Sequence, residues 1–303
     1  MTPEQKRSFR SIIASNCFVR IGDTLSDPKT ILTWLLSALG APAFAVSMLV
    51  PIRESGSMLP QIFLASFIKK FPKRKPIYTT GLIIQFLCIA AIGIAALFLS
   101  PVLAGYIALI ALALFATARA FCSITSKDIK GRAIPKGKRG KLSGIASTLS
   151  GVFATALAII LLTYRDQSDP KLLACIIIGA GFMWLLAGIS YHFVHEPAET
   201  PQKEKSNQGI LNRLALVKKD TKFRNFIIAR TLLLGTALAS PIFVVMANNV
   251  ESSAHSLIAF IVAGALATTF SSFMWGNFSD KASHLAMAFG GLLAALAGIT
   301  SII

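Results

Sequence analysis

Two arginines, Arg119 and Arg230, interrupt stretches that otherwise carry no charge. A guanidinium in hydrocarbon costs several kcal/mol unless it is paired or wetted. Each is therefore either part of a polar pathway or close enough to an interface for its side chain to snorkel to water. Arg230 lies six residues beyond Arg224, which favours snorkelling. Two proline sites form a second set. Gly40, Ala41 and Pro42 fall near the middle of one uncharged stretch, and Ser240 and Pro241 lie well inside another. Proline removes a backbone donor and kinks a helix, freeing carbonyls that can line a cavity. Gly and Pro are also frequent in membrane helices for packing alone. Gln61, two turns beyond Arg53, Glu54 and Ser55, is a third polar candidate. All 13 Asp and Glu residues fall in charged stretches or at their edges. No carboxylate is expected inside a span, Glu54 coming nearest.

Other chemistries lack their residues. Cys17, Cys88, Cys122 and Cys175 form no CxxC pair, the four histidines are scattered, and no HExxH is present. No metal site, disulfide framework or cofactor is expected. No GxxxxGK[ST] loop occurs, so the chain is not expected to use ATP. These absences argue against an enzyme. The net charge of +17 invites a nucleic-acid reading, but no such module is recognisable.

The composition explains the charge differently. Hydrophobic residues make up 54% of the 303, charged residues only 14%, and the mean hydropathy is +0.67. Soluble domains carry about 25% charged residues. Here the charges cluster between uncharged runs close to the roughly 20 residues that cross a bilayer. Nine spans are expected: Thr30–Val50, Ser55–Ile68, Ile77–Ser100, Pro101–Ser126, Leu142–Tyr164, Leu172–His192, Asn225–Val250, Ser256–Asn277 and Leu285–Ile303. The expected fold is an all-α polytopic membrane protein. Its parts are an N-terminal segment (1–29), a six-helix bundle (30–195), a linker (196–224) and the first three helices of a second bundle (225–303). Ser147, Gly151 and Thr155 recur every four residues in the fifth span and suit close helix packing.

With the N-terminus inside, the internal segments hold 25 of the 30 Lys and Arg residues, the external loops 3 and the spans 2. Such asymmetry is strong evidence for a cytoplasmic N-terminus. The expected location is a bacterial inner (plasma) membrane. In the linker, Ile210, Leu211, Leu214 and Val217 have helical spacing and suit an amphipathic helix on the lipid surface.

The linker divides two stretches that repeat. Leu39–Val46 (LGAPAFAV) matches Leu238–Val245 (LASPIFVV) at an offset of 199 residues. After the eighth span, Gly276-Asn277-Phe278-Ser279-Asp280-Lys281-Ala282-Ser283 reads G-x-x-S-D-K-x-S. This resembles the loop signature of the major facilitator superfamily. The equivalent after the second span, Ala65–Arg74, keeps the basic end, with Lys69 in the place of the Asp and Pro72 in that of a Gly. Arg119 is similar to the superfamily's span-four Arg, with Arg139 in a basic turn 20 residues later. His195-Glu196-Pro197 is similar to its acidic-Pro element after span six.

The resemblance implies a secondary transporter working by rocking of two halves, with a non-transporting receptor of the same fold as the alternative. The superfamily usually has twelve spans, so three more are expected beyond the nine. Its partners would be the bilayer, a small-molecule substrate and a coupling ion. The substrate and cavity candidates are Arg119, Gly40, Pro42, Gln61, Ser240, Pro241 and Arg230. Gly276, Asp280 and Lys281 are the gating candidates. The span-four likeness favours a functional Arg119, which would hold an anionic group of the substrate or a coupling carboxylate. Superfamily drug/proton antiporters carry a Gly-Pro element in span five; here Gly144–Gly151 has no proline, so that subclass is not supported.

A cysteine placed at Lys138 in a cysteine-free background should resist an impermeant maleimide in intact cells. Ready labelling there would reverse the assigned orientation.

Overall fold

The computed structural model describes residues 2–29, 31–58, 60–68, 70–163, 170–196, 220–221, 223–225, 227–229, 232, 267, 270–272 and 274–300. Its labelled helices are α1 (Pro3–Leu25), α2 (Ile31–Ala38), α3 (Ala43–Met58), α4 (Gln61–Ile68), α5 (Lys75–Phe98), α6 (Pro101–Ala133), α7 (Arg139–Thr163), α8 (Pro170–His192) and α9 (Ser283–Thr300). No strand occurs among the described residues.

The helices α5, α6 and α8 are long and apolar enough to cross a bilayer. Each turns one face inward and another out. In α5, Leu82, Ile89 and Ile92 are buried while Ile83, Leu87 and Ile94 are exposed. Large aliphatic side chains on the outer face suit a lipid solvent. Inside, α5 packs on both α6 and α8, α1 on α7 and α8, and α3 on α6.

The N-terminal segment departs from the sequence expectation. Residues 1–29 were expected outside the bundle, yet 3–25 form α1, packed along α8. A capping box starts the helix. Thr2 Oγ1 accepts from Gln5 N–H at 3.2 Å, and Gln5 Oε1 accepts from Thr2 N–H at 3.1 Å. Ser8, Ile12, Ser15, Gly22 and Leu25 then fall on one buried face. Gly22 is required there. A β-carbon at that position would lie 2.9 Å from the Trp184 ring of α8, a side chain with no exposed surface.

The stretch 30–50 is likewise not one span. It holds α2, a reversal and the start of α3. At the reversal Gly40 adopts φ +76°, a left-handed conformation that glycine takes without penalty. Two contacts prove the hairpin. Arg53 Nη1 donates to Ser26 O at 2.9 Å, and Lys29 Nζ lies 3.1 Å from Glu54. The midpoints of the two pairs fall between Leu39 and Pro42. Gly40 and Pro42 therefore sit at a turn between helices and not in mid-span. Pro42 and Ala41 pack instead against Gly105, in the second turn of α6. Charge alone misplaced these boundaries, because paired charges lie inside helices here while an apolar run straddles a turn.

The expected third to sixth spans coincide with α5 to α8, and the ninth with α9. The seventh and eighth lie largely outside the described residues, as do Ser240, Pro241 and Arg230.

Gly22→Leu tests the placement of α1. In a loose N-terminal segment it would be neutral. In the packed helix it forces Trp184 aside, with an expected loss of about 1–3 kcal/mol. A wild-type melting temperature in detergent would refute the α1–α8 contact.

Candidate functional site

Three helices bring charged side chains to one point. Arg119 lies near the middle of α6, and α1 presents Asp23 to it. The Arg119 Nη1 donates to Asp23 Oδ1 at 2.9 Å, and its Nη2 pairs with Oδ2, so the guanidinium grips the carboxylate in two bonds. From α3, Arg53 Nη2 donates to the same Oδ1 at 2.9 Å. Arg53 is further held by Ser26 O and by the face of Phe115, 5.1 Å below its guanidinium carbon. Phe115 in turn meets Trp184 edge-to-face at 5.3 Å. One carboxylate thus serves two arginines, leaving one positive charge in excess.

The expectation that no carboxylate lies within a span left this contact out, in which Asp23 of the polar helix α1 reaches the middle of α6. Asp23 was counted as part of a charged N-terminal segment because α1 is polar along its length. Two signals marked it otherwise: the Thr2-x-x-Gln5 helix start, and the small or apolar positions at helical spacing that follow.

Beside this cluster lies a cavity of about 350 Å³ between α1, α5, α6 and α7. Its α6 wall is Arg119, Ser123, Ser126, Lys127 and Lys130, positions that recur on one helix face. Arg20 and Asp23 enter from α1, Gln85 from α5 and Ser143 from α7. The lining carries four cations and one acid, and Arg119 and Arg53 already take up that acid. Arg20, Lys127 and Lys130 have no ion-pair partner among the described residues. Gln85 is fully buried. Its amide N–H donates to Gly81 O at 3.0 Å and to Cys122 Sγ at 3.2 Å, while its Oε1 has no partner.

Among the described sequence candidates, the structure brings Arg119 alone to this cavity. Gly40 and Pro42 lie at the hairpin. Gln61 donates to Ser57 O at 2.7 Å on its own helix and does not line the cavity. Arg20, Lys127, Lys130 and Gln85 were missed. The two lysines read as loop charges, although their spacing from Arg119 places all three on one face.

Two further carboxylates cap helices. Glu196 accepts from the backbone N–H groups of Arg74 and Lys75 at 2.8 Å each, closing the start of α5. Arg132 holds Glu196 at 3.1 Å and Asp128 at 2.6 Å, and Asp128 also meets Arg74 at 3.0 Å. The second cap joins distant parts of the chain. Asp280 accepts from Gly140 N–H and Lys141 N–H, both at 2.7 Å, at the start of α7. Backbones meet at the same place. A β-carbon at Gly276 would lie 2.6 Å from Gly140 O and 2.9 Å from Gly144 Cα. Lys281 is exposed.

Removing one partner of a fully buried ion pair costs about 3–5 kcal/mol. At 14–31% exposure, the groups here should fall somewhat below that. Asp23→Asn leaves two arginines facing each other and should destabilise more than Arg119→Gln, which leaves Asp23 with Arg53. The double variant should recover part of the Asp23→Asn loss in a thermal double-mutant cycle. A wild-type melting temperature for Asp23→Asn would show the pairing to be unimportant.

Comparison with known proteins agrees with this architecture. No curated protein and no solved structure gives a match. The family model of the Major Facilitator Superfamily matches residues 12–303, a stretch that begins inside α1. With almost the whole chain covered, the protein belongs to the Major Facilitator Superfamily.

Proposed function

We propose that this chain works as a secondary transporter for a small anionic solute, which it carries by rocking of two halves across a membrane with its N-terminus on the cytoplasmic side. The observation that supports the anion is the lining of the cavity. Arg20, Lys127 and Lys130 supply three positive charges that form no ion pair among the described residues. Cations in a partly desolvated cleft attract anionic solutes and repel cationic ones.

Within this reading α1 and α2 together make the first crossing, and α3 and α4 the second. The cluster of Asp23, Arg53 and Arg119 then lies at mid-depth. Arg230, Ser240 and Pro241 remain candidates for the facing wall. Asp280 and Gly276 act as the gate on the cytoplasmic side, with the start of α7 as the seat.

Proteoliposomes carrying the protein should take up organic anions and neither neutral nor cationic solutes. Arg20→Gln should lower that uptake about tenfold while leaving folding intact. Uptake of a cation, with anions without effect, would sink the proposal.

The gate has its own test. Two charge-assisted bonds at a helix start stabilise by about 1.5–3 kcal/mol each. Asp280→Asn should therefore shift the population toward the cytoplasm-open state by at least tenfold. A cysteine at Ser143 would report this as faster labelling by a permeant maleimide. Unchanged labelling would remove Asp280 from gating.

A further inference from the structure

The three unpaired cations are arranged more narrowly than a general attraction for anions requires. Lys127 and Lys130 stand one turn apart on α6, and Lys130 lies within electrostatic reach of both Lys127 and Arg20. Arg20 thus stands between the lysine pair and the Asp23–Arg119 pair, whose charges it also feels. Arg119 stands about 12 Å from Lys127 along the axis, at 1.5 Å per residue. A monoanion placed among Arg20, Lys127 and Lys130 leaves two charges uncompensated, whereas a dianion leaves one.

The donor types narrow the choice again. The planar fork of an arginine matches carboxylate and phosphate alike, whereas an ammonium binds as a point charge. The fork that lines this cavity at Arg119 is already filled by Asp23. What remains is two ammonium groups, which bind as point charges, one exposed guanidinium, and the hydroxyls of Ser123, Ser126 and Ser143. Such a set suits a phosphate monoester, which carries about −1.5 to −2 at pH 7 and three strong acceptor oxygens.

A second observation points to the rest of the ligand. Gln85 Oε1 is a buried acceptor without a partner, and Gln85 lines the same cavity. Its amide N–H groups are engaged at the level of Cys122, five residues before Lys127 on α6. That is about 7.5 Å along the axis, the reach of a few carbon atoms. An unsatisfied buried acceptor selects for a donor, because leaving it unpaired forfeits the hydration it lost on burial.

Resting on the anion reading above, we infer that the ligand is a small phosphomonoester, its phosphate held by Arg20, Lys127 and Lys130 and a hydroxyl donating to Gln85 Oε1.

Calorimetric titration of the detergent-purified full chain tests this with four probes: glycerol 3-phosphate, inorganic phosphate, glycerate and short-chain phosphatidic acid. The soluble ester should bind at least tenfold more tightly than glycerate, which keeps the hydroxyls but carries one carboxylate. The Lys127→Gln/Lys130→Gln variant should abolish that advantage. Gln85→Leu should remove the advantage of the ester over inorganic phosphate without weakening the binding of phosphate itself. If the lysine double variant melts below the titration temperature, exposed Lys127→Gln alone should still weaken ester binding several-fold. Binding of phosphatidic acid in place of the soluble ester, with the same lysine dependence, would keep the phosphomonoester and assign it to a lipid headgroup. Glycerate binding as tightly as the ester, or ester binding indifferent to the lysines, would overturn the inference and leave the anion reading standing. Failure of every anion to bind would overturn both.

Discussion

The bundle is organised around a carboxylate that cannot be left alone. Asp23 holds Arg119 in two bonds and Arg53 in a third, and each of the three comes from a different helix. Charges in a low-dielectric interior must be matched, so these helices cannot slide or rotate independently without exposing an unpaired ion. The packing follows from that requirement. Arg53 rests on Phe115, Phe115 meets Trp184, and Trp184 fills the slot opened by Gly22, one residue before Asp23. The path from Asp23 passes through α3, α6 and α8 and returns to α1.

Because Asp23 is already engaged, the neighbouring cavity keeps its positive charge. A second acid on α1 would have neutralised Arg20 or Lys130 and left a merely polar space. The architecture thus separates two tasks among basic residues of similar type. Arg53 and Arg119 hold helices together, and Arg20, Lys127 and Lys130 remain available. Neighbouring carboxylates at the ends of helices do another job. Glu196 and Asp280 each accept two backbone N–H groups, supplying partners that the first turns of α5 and α7 lack.

Much of this was legible in the sequence, but not evenly. The span-four Arg119 and the Gly276–Ser283 signature pointed to residues that the structure engages. Glu196 stood out through its His195-Glu196-Pro197 context. The boundaries of the first helices were not legible from charge, because a count of formal charges cannot see that Arg20, Asp23 and Arg53 come together in space. The same count took Lys127 and Lys130 for loop residues, although α6 continues to Ala133. Gly40 was recognised as a helix breaker and given the wrong task. A breaker inside an apolar run marks a kink or a reversal equally well, and only the contacts of residues 26–29 with 53–54 decide between them.

The seam between Gly140, Gly144 and Gly276 has a geometric consequence. Its two sides touch through main-chain atoms, and the Asp280 side chain beside the contact is held in place by two backbone N–H groups. Covalent geometry therefore fixes the closed spacing. A joint of this kind has no graded setting: it is shut at one width, or its sides have parted. The most permissive residue in the chain thus gives that joint its least adjustable dimension.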